Sequence, residues 1–385
     1  MQHRQFEKRI SQIKSIPRRL LVNLRHSFSL LRWRKTKTFA LLFAGAFVLS
    51  LVVSACTASN TTNTTTTTTT AAAGDQPQDV ELTLVSYAVT RAAYEKIIPT
   101  FTAEWKQEHN QNVTFNQSYG GSGSQTRAVV DGLEADIVAL ALALDTKKIE
   151  QAGLIEPGWE QQAPNDAIVH SSVVALVTRE GNPKGIKTWD DLAKDDVEVI
   201  TANPKTSGGA RWNFLALWGY VKETGGDDAK AEDFTTKVYK NVPVLPRDAR
   251  EASDVFFKQG QGDVLMNYEN EMILAQQNGQ SLPYFVPDVN ISVDNPIAVV
   301  DKNVDKHGTR EVAEAFVEYL FRPESQREFA KVGFRPVDAT VTKEVEKDYR
   351  PVKNLFTVQD VGGWDTVQKQ FFDDGAVFDK IQAKL

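Results

Sequence analysis

The sequence predicts an α/β protein built as two doubly wound lobes around a ligand cleft, and three observations carry that prediction. From Val80 onward, strand-like and helix-like patterns alternate along the chain, which implies a parallel, doubly wound sheet with strands joined by crossover helices. Two strand-to-helix turns are rich in glycine and serine, Tyr119-Gly120-Gly121-Ser122-Gly123-Ser124 and Thr206-Ser207-Gly208-Gly209. A second alternating section in the middle of the chain is followed by a further strand and two helices, as though the C-terminal part returned to the first lobe.

The first section opens with a strand at Leu82–Ser86. A helical pattern follows over Ala92–Gln107, with Tyr94, Ile97, Ile98, Phe101 and Trp105 on one face. Then come a strand at Val113–Asn116, a helix after Ser122, a strand over Ala135–Leu140 and a short helix, Lys147–Gln151, stopped by Gly153. Ile168–Thr178 reads as one long strand. In the middle section, strands are expected at Val197–Ile200, Val242–Leu245, Gly262–Tyr268 and Pro283–Pro287, with a helix start at Trp189-Asp190-Asp191-Leu192. Pro296–Val300 is one more strand, and helices Arg310–Phe321 and Glu324–Val332 carry core-facing apolar stripes. The implied boundaries are 80–178 with 289–385 for lobe 1, and 179–288 for lobe 2.

The chemistry converges on Asn203-Pro204-Lys205-Thr206-Ser207-Gly208-Gly209-Ala210-Arg211-Trp212-Asn213. A strand precedes it, and Phe214, Leu215 and Trp218 continue it at helical spacing. The start of a helix leaves backbone N–H groups without partners and carries partial positive charge. Two glycines let a ligand come close to those groups, and a small oxyanion suits them. The Gly/Ser turn before Ser122 has the same form. In a doubly wound sheet both turns lie at the carboxyl ends of strands, where such folds hold ligands, so the two could face one anion from opposite sides.

Composition narrows the function classes. The 385-residue chain is 41% hydrophobic and 24% charged, ordinary for a globular protein with room for two domains. Residues 1–55 hold eleven of the 44 basic residues and one of the 50 acidic ones. From Cys56 onward, 33 basic residues therefore face 49 acidic ones. So acidic a body argues against nucleic-acid binding and means that an anion is held by local dipoles. A single cysteine permits no intramolecular disulfide, and the five histidines show no metal-ligand spacing, so neither metal nor cofactor is expected.

The N-terminus reads as an export segment, 1–55. A basic region through Lys37 precedes an apolar run, Phe39–Val53, shorter than the roughly 20 residues of a membrane-spanning helix. It ends in Val53-Ser54-Ala55-Cys56, which resembles a bacterial lipobox and marks Cys56 for lipid attachment. Residues 56–79, with threonine unbroken from Thr64 to Thr70, contain no core-forming pattern and read as a flexible tether.

Taken together, the segments Val85-Ser86-Tyr87 with Thr90-Arg91, Gln117–Gly123, Asn203–Asn213, Gly262-Asp263-Val264-Leu265, Tyr268-Glu269-Asn270-Glu271 and Gly362-Gly363-Trp364 resemble bacterial periplasmic sulfate-binding proteins of ABC transporters. Those proteins have the type II periplasmic-binding-protein fold, and the resemblance covers nearly the whole chain from Val80. It implies a sulfate dianion buried between the lobes and held by hydrogen-bond donors alone. The donors would be the Ser207 hydroxyl, the backbone N–H groups of Gly208, Gly209, Ser122, Ala88 and Ala249, and the side chain of Tyr268. Family members often have aspartate where this chain has Ala88, a main-chain contact that survives the change. Some have a tryptophan where this chain has Tyr268, and a phenol can accept as well as donate, which leaves thiosulfate open. Arg91 and Arg211 are expected in ion pairs near the loops in preference to direct ligation.

The resemblance further implies sulfate as ligand, an ABC-transporter permease as partner, a periplasmic location and a monomer, and the lipobox-like motif adds a membrane anchor through lipid at Cys56. Catalysis is not expected, because Ser207 has no histidine in its motif and no metal cluster appears. A sensor domain sharing the cleft, or a molybdate or phosphate carrier, is the alternative.

Overall fold

A computed structural model of the chain describes residues 78–385. The export segment 1–55, the lipid-attachment residue Cys56 and the tether as far as residue 77 lie outside the described residues. Among the described residues the strands are β1 (Val80–Tyr87), β2 (Val113–Gly120), β3 (Ile137–Ala139), β4 (Ile168–Ser172), β5 (Val174–Thr178), β6 (Val199–Ile200), β7 (Val264–Tyr268), β8 (Tyr284–Phe285), β9 (Val289–Ile291), β10 (Val293–Val299) and β11 (Asn354–Phe356). They form a five-stranded sheet in the order β2-β1-β3-β10-β4, a four-stranded sheet β6-β7-β5-β8 and a pair β11-β9.

The helices from Arg91 to Gln277 are α1 (Arg91–His109), α2 (Ser122–Val130), α3 (Ala143–Gln151), α4 (Gly208–Glu223), α5 (Asp228–Lys240), α6 (Ala249–Phe257) and α7 (Glu269–Gln277). The expected apolar face of α1 is buried, and Asn110 ends the helix in the left-handed region at φ 51°. Helix α4 is buried on nearly every side from Gly208 to Gly219, as its continuous apolar composition demands.

Three expectations are corrected. The sheets are mixed. β1 runs parallel to β2 and β3, and β6 parallel to β7, but β10 is antiparallel to β3 and β4, and β5 to β7 and β8. A strand that enters a sheet directly from another sheet, with no crossover helix, need not match its neighbours' direction. The run Ile168–Thr178 is two strands in different sheets. At the switch, the Asn290 side chain takes both backbone groups of Val174 (Val174 N–H to Oδ1 3.1 Å, Nδ2 to Val174 carbonyl 2.8 Å). The Glu269 N–H donates to the Val173 carbonyl at 2.9 Å. Apolar continuity through the switch concealed it. Val242–Leu245 forms no strand, because Pro243 and Pro246 cannot donate to a ladder.

The C-terminal part divides its contacts. Phe316 packs on Phe101 of α1 with ring centroids 5.0 Å apart, beside the five-stranded sheet. The last helices turn instead to α4, with Phe371 5.5 Å and Phe372 5.4 Å from Phe214, and Trp364 4.8 Å from Trp212. Val174–Thr178, expected in the first lobe, likewise belongs to the four-stranded sheet.

Candidate functional site

Five junctions into helices meet at one point. β1 ends at Tyr87, where a 3-10 turn, Ala88–Thr90, leads into α1; β2 ends one residue before Gly121 caps α2. Ser207 caps α4, Asp248 caps α6, and Tyr268 stands at the junction of β7 and α7. Together they enclose a cavity of about 10 Å³. That is far below the several hundred Å³ typical of pockets for organic ligands. Ala88, Ser122, Ser207, Gly208, Gly209, Ala249 and Tyr268 all lie on its wall, with Tyr87, Gly121 and Asp248 among their neighbours there.

Local hydrogen bonds position each group. Ser207 Oγ accepts from Ala210 N–H at 3.3 Å, so the hydroxyl proton is left to donate elsewhere. The Gly208 and Gly209 N–H groups precede the first intrahelical donor of α4 and have no carbonyl behind them in the helix. Asp248 Oδ1 accepts from Glu251 N–H at 2.9 Å, and Asn267 Nδ2 donates to the Ala249 carbonyl at 2.7 Å, which pins the start of α6 to the end of β7. Thr90 Oγ1 donates to the Tyr87 carbonyl at 2.8 Å and closes the turn that presents Ala88 N–H. The Ser122 hydroxyl is committed, donating to Asp145 Oδ2 at 2.7 Å and accepting from Ala141 N–H at 3.0 Å. Its backbone N–H is what remains for a ligand.

Glycine is required here for close approach. A Cβ on Gly208 would stand 2.5 Å from Ala141 Cβ and 3.1 Å from Ser122 Cβ, and one on Gly121 would stand 2.5 Å from the Thr206 carbonyl oxygen. The two Gly/Ser loops therefore touch, as the motifs suggested.

Arg211 is ion-paired: its Nη1 lies 2.6 Å from Asp145 Oδ1, and Nε donates to the Pro204 carbonyl at 3.0 Å. Arg91 lies over the Tyr119 ring at 4.4 Å. Tyr268 is buried, and its Oη has no hydrogen-bond partner among the described residues. Burial, and then the nearby Asp145 and Glu271 carboxylates, push its pKa well above the ordinary phenol value. It stays a neutral hydroxyl with a proton to give.

Sequence reasoning missed Asp145, Asn267 and Tyr87. Asp145 and Asn267 act through hydrogen bonds to residues 23 and 18 positions away, which no local motif reveals. Among the described residues no cluster of His, Cys, Asp or Glu could hold a metal ion. A larger cavity, about 570 Å³, lies elsewhere beside Trp159, Asp301 and Arg310 and involves none of the seven expected residues.

A mixed α/β body with a small cavity ringed by helix starts defines a solute-binding protein of the type II fold. The chain belongs to the bacterial extracellular solute-binding protein family, whose family model matches residues 82–335. It is 59% identical over 333 residues to the sulfate-binding protein of Synechococcus elongatus, covering 86% of this chain and 92% of that one. It is 40% identical over 301 residues to the thiosulfate-binding protein of Pseudomonas aeruginosa, covering 77% and 90%. Among solved structures, the sulfate-binding protein SubI from Mycobacterium tuberculosis is similar at TM-score 0.71 and 36% identity, over 76% of this chain and all of that one.

Proposed function

We propose that this chain is the extracytoplasmic solute-binding component of an ABC transporter, capturing sulfate by hydrogen-bond donors and delivering it to a membrane permease. The convergence of five helix junctions on one small cavity lined by helix starts carries the reading. The Ser207 hydroxyl, the N–H groups of Gly208, Gly209, Ala249, Ser122 and Ala88, and the Tyr268 hydroxyl are the donors. Charge-assisted hydrogen bonds contribute roughly 1.5–3 kcal/mol each, so several suffice to offset desolvation and leave about −8 kcal/mol, micromolar affinity. Sulfate at neutral pH is an acceptor only, which suits such a wall. The 59% identity to a sulfate-binding protein supports sulfate over thiosulfate, whose named relative stands at 40%.

Two lobes, one built on the five-stranded and one on the four-stranded sheet, close over the anion, and the closed form docks on the permease as a monomer. The chain binds and does not catalyse, as its relatives named for binding suggest. Its place is the periplasmic face of the membrane, held by lipid at Cys56 through the 56–79 tether. More than one acyl group is needed for stable anchoring.

Calorimetric titration with sulfate, thiosulfate, molybdate and phosphate tests the reading. Sulfate binds tightest, and Gly208→Asp abolishes binding by placing negative charge in the cavity. Normal sulfate binding by Gly208→Asp sinks the site assignment, and steady turnover of chromogenic sulfate or phosphate esters sinks the non-catalytic role.

A further inference from the structure

The cavity wall contains a second phenol. Tyr87 is the last residue of β1, in the five-stranded sheet, and Tyr268 the last of β7, in the four-stranded one. Both line the cavity, and their ring centroids lie 6.2 Å apart at 58°. Tyr87 is 4% exposed, and like Tyr268 its Oη has no hydrogen-bond partner among the described residues.

Two other buried phenols, Tyr94 and Tyr239, also have an unpartnered Oη, but neither touches the cavity. Tyr94 packs against Phe316 and Phe329, and Tyr239 against Phe214 and Phe378. Tyr87 and Tyr268 differ in lining the same small cavity, with their rings close to each other. A buried hydroxyl with no partner is destabilising, and two of them beside one cavity point to a shared acceptor that enters it. Burial first, then Tyr268, Tyr94 and Glu271, raise the Tyr87 pKa well above the ordinary phenol value, so it too keeps its proton.

We propose that Tyr87 is a further hydrogen-bond donor to the bound anion, and that the Tyr87–Tyr268 pair favours a compact tetraoxo dianion over its thio analogue. The inference rests on the reading of the cavity as an oxyanion site. Replacing one oxygen by sulfur lengthens one bond and weakens one acceptor. A small cavity walled by five chain junctions leaves little room for the extra length, and two phenol protons favour the better acceptor. Removing one phenol oxygen relaxes both constraints at once.

The test is calorimetric titration of the full chain with sulfate and with thiosulfate, for the natural protein and Tyr87→Phe, together with melting temperatures measured without anion. Sulfate affinity is expected to fall roughly tenfold or more, the loss of one charge-assisted hydrogen bond. Thiosulfate affinity falls less, so the preference narrows. Without anion, Tyr87→Phe melts no lower than the natural protein, because the hydroxyl it removes has no protein partner. Unchanged sulfate affinity, or equal weakening of both anions, overturns the assignment of Tyr87 while the cavity remains an anion site. A lower melting temperature without anion, with a matching loss for both ligands, marks a structural role and also overturns it. If the natural protein binds neither anion, the oxyanion reading fails and this inference falls with it.

Discussion

Arg211 Nη1 and Asp145 Oδ1 lie 2.6 Å apart, with their side chains 5% and 0% exposed. Asp145 also holds the Ser122 hydroxyl at 2.7 Å, so one carboxylate ties the first turn of α2 to that of α4. A buried ion pair is weak evidence of net stability, but breaking it strands a charge. Asp145→Ala is therefore expected to cost about 3–5 kcal/mol in urea unfolding. The double variant Asp145→Ala with Arg211→Met recovers a large part of that loss. If the single variant is as stable as the natural protein, the pair does not clasp these loops.

Gly121 has φ −62° and ψ 132°, a conformation open to any residue, so its requirement for glycine is one of space. A Cβ there meets the backbone carbonyl oxygens of Thr206 at 2.5 Å and Arg247 at 2.9 Å, and backbone cannot swing aside as a long side chain can. Gly121→Ala should weaken anion affinity at least tenfold by holding the loops apart, with little change in unfolding free energy measured without anion. An unaltered binding isotherm would show that the loops need not approach this closely.

Ser207 has two duties, and they can be separated. Its Oγ caps α4 by accepting from Ala210 N–H, and its proton is free for the ligand. Ser207→Ala removes both and is expected to destabilise by about 1 kcal/mol, whereas Ser207→Gly costs only a few tenths because glycine is a tolerable cap. Both lose the hydroxyl donor, so both should lose sulfate affinity to a similar degree, several-fold or more. Normal binding by either variant removes the hydroxyl from the ligand set.

His307 supplies a pH dependence away from the site. Its Nδ1 lies 2.8 Å from Asp136 Oδ1 and its Nε2 3.0 Å from Glu134 Oε2. Those hydrogen bonds, first to Asp136 and then to Glu134, raise its pKa above the ordinary value. A raised folded pKa means that protonation stabilises the fold: the contribution is complete below about pH 6.5 and is lost as pH rises through the folded value. His307→Gln should flatten the decline in stability above pH 6.5, followed by chemical denaturation at half-unit intervals. An identical pH profile in the variant would assign that decline to other groups.

The seven residues singled out in the sequence share one cavity wall in the structure; Ser122, Ser207, Gly208 and Gly209 stand on turns with a local signal, whereas Ala88, Ala249 and Tyr268 were implied by the resemblance alone. A strand, a Gly/Ser turn and an apolar helical stripe occupy about twenty consecutive residues, and the exposed N–H groups at such a turn follow from helix geometry alone. Tyr87 carried no such signal, since a tyrosine at the end of an apolar strand reads as core. The departure from the sequence-based picture is largest where the chain changes sheets. Val173 sits between two strands whose apolar residues are alike, and the switch depends on Asn290, more than a hundred residues on, satisfying Val174.

Most of the alternation of strands and helices, the Gly/Ser turn before each of two helices and the acidic balance of the body were legible from residue types and spacing. Which sheet each strand joins, how closely the turns approach and which buried hydroxyls have no protein partner were settled only in three dimensions. Periodicity reports the environment of a residue, apolar or polar, within a few turns of chain. It cannot report the identity of the neighbour, and at this site the neighbours come from distant stretches of the chain, as Asp145 does for Arg211.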